Sequence, residues 1–281
     1  MQSEDNTWSH LNNFLFGDIL RQVILHRNDK RKQIRSSKPK EQNHSHPSGM
    51  GDCLRLRWFG HADQRESPDD DLLKIFFHGD LIHDDLVYPV LKYWLTHIVG
   101  IKNFTITNEF PFRFSIDHGG KEIIFSGYVD NVIQRFNQGE TEVIPIEVKS
   151  FGGNLKYLTE PYLSAKVQIM SYLGFLKAPM GKVIYVQKAT LEAKTFDIHF
   201  DQETFDGLMD RECEFQDYKD SGTIPPAEAM NEFDKGNSWY TMLTIAPDGK
   251  KQKHPCGRCE FWDFCKKNPH SILPEDDDDE W

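Results

Sequence analysis

Two acids and a lysine in the stretch FSGYVDNVIQRFNQGETEVIPIEVKS, residues 125–150, carry the clearest chemical potential in this chain. Two strand-like runs flank NQGE at 137–140, a hairpin turn signal. With the turn centred between Gln138 and Gly139, directly opposed residues have numbers summing to 277, and Asp130 and Glu147 satisfy that sum. Opposed residues of an antiparallel pair share a face, with Cβ atoms about 4.5–5.5 Å apart. Lys149, two residues beyond Glu147, projects from the same face. Val129, Ile146 and Val148 then form the buried side. Converging carboxylates suit a hard cation such as Mg²⁺ or Mn²⁺. Such an ion polarises a phosphodiester, and an adjacent ammonium orients water or neutralises developing charge. A surface ladder of cross-strand salt bridges reads the same residues equally well. Glu109, on the preceding strand, is a further candidate.

A second cluster lies near the C-terminus, where CGRCEFWDFC holds Cys256, Cys259 and Cys265. Three thiolates at this spacing call for a fourth ligand, and zinc and iron–sulfur clusters both accept thiolates. Cys53 and Cys213 remain, and Cys213 falls in a helical pattern where cysteine behaves as a small apolar residue.

The elements that must position these groups follow from periodicity. Residues 7–26 place Trp8, Leu11, Phe14, Leu15, Ile19 and Ile24 at amphipathic helix spacing. A basic, Ser/Pro-rich segment follows to about residue 48. Residues 72–98 read as a long helix interrupted near Gly79 and Pro89. Strands are predicted at 103–116, 121–136, 141–150, 182–190 and 194–200, with helices at 160–177 and 202–219. That order predicts an α/β (α+β) fold, a mixed central sheet flanked by helices. The organisation expected is an N-terminal helix and basic flexible linker over 1–50, one domain over 51–268, and an acidic tail over 269–281.

Bulk properties set the outer limits. The 281 residues are 38% hydrophobic and 12% aromatic, enough for a core and against global disorder. No apolar run reaches membrane-spanning length. The polar N-terminus argues against a secretory signal, and a cytoplasmic location is expected, where clustered cysteines hold metal more often than disulfides. The net charge of −11 conceals segregation: residues 21–40 carry eight Lys or Arg against one acid, and Glu275–Glu280 is wholly acidic. Net charge therefore does not decide for or against nucleic acid.

The pattern resembles the PD-(D/E)XK nuclease superfamily. Val129-Asp130 stands in place of Pro-Asp, and Glu147-Val148-Lys149 is the E-x-K. Gly79-Asp80-Leu81-Ile82-His83 is similar to the upstream helix motif of the RecB-type branch, and Gln168-Ile169-Met170-Ser171-Tyr172 to its downstream Q-x-x-x-Y motif. One cysteine before this core and three after it resemble the iron–sulfur subgroup, which includes AddB-type nuclease domains and CRISPR-associated spacer-trimming exonucleases. The resemblance implies a restriction-endonuclease-like core. It also implies a [4Fe–4S] cluster on Cys53, Cys256, Cys259 and Cys265, stapling the two ends of the domain. Trp58, Phe261, Trp262 and Phe264 would shield the cluster. Closing a loop of about 200 residues is worth several kcal/mol by chain entropy.

By the same resemblance His83, Asp130, Glu147 and the main-chain carbonyl of Val148 bind Mg²⁺ or Mn²⁺, Lys149 serves the nucleophile, and Gln168 and Tyr172 position the strand. Arg55, Arg57 and the basic arm contact phosphates, although a solvated linker explains the arm as well. The activity implied is a metal-dependent exonuclease on DNA, preferring single-stranded ends, with a separate helicase or integrase-type protein as partner. A non-catalytic, zinc-stapled DNA-binding adaptor and an endonuclease of the same fold are the alternatives.

Overall fold

The computed structural model describes residues 24–26, 44–61, 70–99, 102–137 and 140–226. The chain divides into two compact units, Met1–Gln42 with Ser67–Leu81, and Asn43–Glu66 with Ile82–Trp281. In the first unit the described parts are helical: residues 24–26 and the helix Asp70–Leu81, which passes through Gly79 without a break. No helix among the described residues is long and apolar enough to cross a membrane. Most of the predicted helix over 7–26, the acidic tail, and Cys256, Cys259, Cys265, Phe261, Trp262 and Phe264 lie outside the described residues.

The second unit is built on a six-stranded mixed sheet. In chain order its elements are β1 (His44–Ser45), α1 (Leu54–His61), α2 (Tyr88–Tyr93), β2 (Phe104–His118), β3 (Lys121–Asn137) and β4 (Glu140–Phe151). There follow α3 (Leu163–Leu176), β5 (Met180–Gln187), β6 (Ala193–His199) and α4 (Gln202–Ser221). The mixed sheet flanked by helices is the fold class the sequence predicts. Around Pro89 the backbone differs from expectation. Ile82–Val87 and Trp94–Val99 are π-helical turns on either side of α2, and Pro89 sits in the first turn of α2. Val87 before it is itself helical (φ −69°, ψ −46°), so the helical backbone runs on through Pro89, with a wider π turn on the side where its missing N–H would have bonded.

The long strand β3 organises the sheet. One edge pairs antiparallel with β2 from end to end. The other edge is shared: β1 runs parallel to it at Ile124 and Phe125, and β4 runs antiparallel from Asn131 to Asn137. Between these partners residues 126–130 have no strand beside them, and β3 and β4 part like a fork. β4 continues alone into parallel pairing with β5. At the far end of β2, Gly119 (φ 60°) and Gly120 (φ 79°) close the β2–β3 hairpin in a left-handed turn that other residues resist.

Both sheet faces are covered. On one, Val183 and Tyr185 of β5 join Val167, Ile169 and Leu173 of α3 and Leu208 of α4. On the other, Ile184 and Val186 join Ile146 and Val148 of β4 with Ile82, Val87 and Leu95. Burial on both sides is why residues 143–146 of β4 and 183–186 of β5 are unbroken apolar runs. Each such side chain contributes about 1.5–3 kcal/mol.

The end of the expected linker is instead built into the fold. His44 and Ser45 form β1, and the Ser45 hydroxyl donates to Glu212 Oε2 of α4 at 2.5 Å. Arg57 grips both oxygens of Glu212 at 2.5 and 2.6 Å and stacks on Phe215 at 4.0 Å. Arg55 is 1% exposed, its Nε–H donating to the Pro225 carbonyl at 2.7 Å. The expected phosphate contacts of Arg55 and Arg57 are therefore corrected: both cations are engaged inside the fold, tying α1 to α4 and the segment after it. Removing one partner of a buried ion pair strands the other charge. Glu212→Ala should lower stability by about 3–5 kcal/mol, read from urea unfolding against wild type.

Candidate active site

Asp130 and Glu147 lie on β3 and β4 at the point where the fork opens. The observed register pairs Asn131 with Ile146 and Val132 with Pro145, the sum of 277 expected from the sequence, and the next step would set Asp130 against Glu147. The strands separate there, so the backbone groups of the gap must bond elsewhere. Asp130 Oδ2 accepts the Val148 N–H at 2.7 Å, standing in for a missing strand. On the β3 side, the Ser126 carbonyl accepts His46 Nδ1 at 3.0 Å and the Tyr128 carbonyl accepts the Tyr172 hydroxyl at 3.2 Å. The fork stays open because side chains satisfy its main chain.

On the β2 side, Glu109 stands opposite Asp130 by register, and that pair is missing from an otherwise unbroken ladder. Its φ of 48° is left-handed, a strain of about 1–2 kcal/mol for a non-glycine residue. The kink reverses the strand's inward face. Phe104 and Ile106 pack with the 82–99 side, whereas Phe110, Phe112 and Phe114 pack with the α3 side.

Around this point the side chains form a chain of contacts. His83, from the π turn, brings Nδ1 to 3.4 Å from Asp130 Oδ1. Lys149 Nζ lies 2.6 Å from Glu147 Oε1 and donates to Gln168 Oε1 at 2.9 Å. Gln168 Nε2 donates to the Tyr172 hydroxyl at 2.9 Å. Gln168 and Tyr172 are thus placed to hold the lysine and the β3 backbone. Both are buried, 8% and 2% exposed, so direct positioning of a nucleic-acid strand by them is corrected to an indirect role.

Glu147 is 1% exposed, and its Oε2 has no hydrogen-bond partner. Burial, reinforced by the negative charge of Asp130 and opposed by Lys149, pushes its carboxyl up to about 7. Burial lowers Lys149 less than Glu147 and Asp130 raise it, so the ammonium persists well above neutrality. It is a proton donor and a charge, not a base. Burial pulls His83 down but is outweighed by the hydrogen bond and charge of Asp130 and by the charge of Glu147, leaving it raised. Burial, followed by the Glu147 charge, keeps the Tyr172 phenol neutral.

Among the described residues, no three His, Cys, Asp or Glu side chains stand together closely enough to constitute a metal site. What fits a cation is the chemistry of the donors: a buried carboxylate oxygen without a partner and a second carboxylate whose Oδ1 faces an imidazole. An unpaired buried carboxylate is costly unless protonated or ligated.

Sequence reasoning named His83, Asp130, Glu147, Lys149, Gln168 and Tyr172, and the structure links them through contacts at one place. It missed Asn131, wholly buried with neither amide atom bonded, and Tyr128, exposed two residues before Asp130. Both lie in the same GYVDN stretch, the only signal that could have found them.

No family model matches the chain, and no curated protein does. Among solved structures it is similar to the crystal structure of SSO0001, at 18% identity and a TM-score of 0.48 over 75% of this chain and 88% of that one. It is also similar to an alkaline exonuclease (LHK-Exo) from Laribacter hongkongensis, at 10% identity and a TM-score of 0.42 over 64% and 89% of the two chains. That exonuclease in complex with dAMP matches at 10% identity and 0.41 over 63% and 88%. At identities and TM-scores this low, the reading of this chain stands on its own geometry.

The raised Glu147 carboxyl makes metal-free stability depend on pH. Between about 4.5 and 7 the folded protein keeps a proton that the unfolded chain releases, so stability falls as pH rises through that window. One proton gives a slope of at most about 1.4 kcal/mol per pH unit. Thermal unfolding in chelator at pH 5 to 7.5 should show this decline, and Glu147→Gln should flatten it.

Proposed function

We propose that this protein is a divalent-metal-dependent deoxyribonuclease that hydrolyses phosphodiester bonds at the ends of single-stranded DNA. The observation that carries the reading is the buried, unpartnered Oε2 of Glu147, held beside Asp130 and an ammonium where two strands part. A purely structural ion pair needs only one oxygen facing its lysine. Here the second is kept in the dry interior.

Asp130 Oδ1, Glu147 Oε2 and His83 would hold Mg²⁺ or Mn²⁺, with the Val148 carbonyl, named by the sequence resemblance, as a fourth donor. The ion, when bound, supplies Lewis acidity toward the phosphodiester and a water ionised near neutral pH. Glu147 and Asp130 set the local negative potential. Lys149 spends two of its three N–H groups on Glu147 and Gln168. The third is left for the attacking water or for charge developing on the phosphoryl oxygens. Gln168 fixes where that ammonium points, and Tyr172 fixes Gln168 against the β3 main chain.

The four-cysteine staple belongs to the same proposal. Cys53 is half-buried directly before α1, with its carbonyl accepting the Arg57 N–H at 3.0 Å and the Asp52 carbonyl accepting Arg211 at 2.9 Å. It would join Cys256, Cys259 and Cys265 around a [4Fe–4S] cluster.

End-labelled single strands with Mn²⁺ should be degraded by wild type and spared by Lys149→Met and Glu147→Gln, with rates down on the order of 10²–10⁴-fold. Equal rates in wild type and Glu147→Gln would remove the catalytic reading. Cleavage of covalently closed single-stranded circles would make the enzyme an endonuclease. Stabilisation by Mn²⁺ should grow from pH 6 to 8, because the protons on Glu147 and His83 must leave before metal enters. Protein purified without oxygen should be brown and contain iron and acid-labile sulfide; a colourless protein containing zinc would replace the cluster with a zinc staple.

A further inference from the structure

Tyr128 precedes Asp130 by two residues on β3 and is 55% exposed. The exposure is built into the strand. On the opposite face Phe125 and Val129 are fully buried, and a Cβ at Gly127 would come within 3.3 Å of the Phe112 ring. Strand alternation therefore sends the Tyr128 side chain away from that packed face.

Its main chain is equally fixed. The Tyr128 carbonyl accepts the Tyr172 hydroxyl, which receives Gln168, which in turn holds Lys149. Three hydrogen bonds thus tie the backbone under the exposed ring to the ammonium of the site. Two residues along a strand span about 6.6 Å, so the ring is rooted next to the carboxylates. Pro111 of β2 pairs with Tyr128 on one edge of β3, whereas the other edge has no strand beside it at 126–130 and borders the open fork.

We propose that Tyr128 is the stacking platform for the nucleobase beside the scissile phosphate, and that it makes an unpaired base a condition of productive binding. The inference rests on the nuclease reading above and deepens it. An aromatic face accepts any base, because every base presents a π surface, and such stacking contributes without selecting sequence. A base inside a duplex is already stacked on both sides and must first be extruded to reach the ring. The substrate class is therefore a frayed or single-stranded DNA end of any sequence. Tyr128 is a substrate-binding residue, distinct from the groups that hold the metal or serve the water.

The test uses the full-length protein with Mn²⁺ and end-labelled single strands, intact or carrying one abasic nucleotide at successive positions. Tyr128→Ala should raise KM on the order of 10-fold while kcat is kept, and Tyr128→Phe should behave as wild type. At one position the abasic nucleotide should raise the wild-type KM by the same factor and leave Tyr128→Ala unchanged, which a merely structural defect would not reproduce. If wild type degrades the strands but Tyr128→Ala matches it in KM, this inference fails and the nuclease reading stands. Abasic penalties that are equal in wild type and Tyr128→Ala overturn it too. If wild type degrades nothing, both fall together.

Discussion

A single hydrogen bond, from the Val148 N–H to Asp130 Oδ2, holds the site in place. It lies where two paired strands stop pairing and lets them separate without leaving a main-chain donor unsatisfied. An alanine at 130 would remove a ligand candidate and also reopen the backbone of β4 between two residues of the E-x-K. Structural and chemical demands thus converge on one carboxylate. Its two oxygens are divided between them: Oδ2 serves the fold, and Oδ1 faces His83.

The surrounding electrostatics are unfavourable by design of position. The negative charge of Asp130 acts on Glu147, which is removed from water, and Lys149 and His83 offset it. The apolar clusters on both sheet faces supply the stability that tolerates this arrangement. The strained Glu109 and the unbonded amide of Asn131 flank the same point on the ladder. Local rules of good packing fail together there, as they do where function and folding compete.

The part of this arrangement encoded nearby in the chain was legible. The β3–β4 register is the one expected from counting, but the single buried side expected for Val129, Ile146 and Val148 is not, because Val129 packs toward α3 and the other two toward residues 82–99. Most strands and both long helices of the second unit followed from periodicity. Contacts made at long separation were not. Arg55 and Arg57 look like phosphate ligands until Glu212, far along the chain, is seen to neutralise Arg57. His44 and Ser45 look like linker because a two-residue strand has no period to detect. Gln168 and Tyr172 fit a substrate-facing reading equally well until burial turns them toward Lys149 and β3. The three C-terminal cysteines lie outside the described residues, and their role rests on spacing and resemblance.

The shared edge of β3 has one more consequence. An unpaired strand edge invites a strand from another molecule and is a recurrent seed of aggregation. Here the gap is only 126–130, closed by β1 below and by β4 above. Its outward carbonyls at 126 and 128 are already taken by His46 and Tyr172. An intruding strand would find a short berth in which the acceptors at 126 and 128 are already engaged, so the cleft can stay open without offering a ready template for pairing.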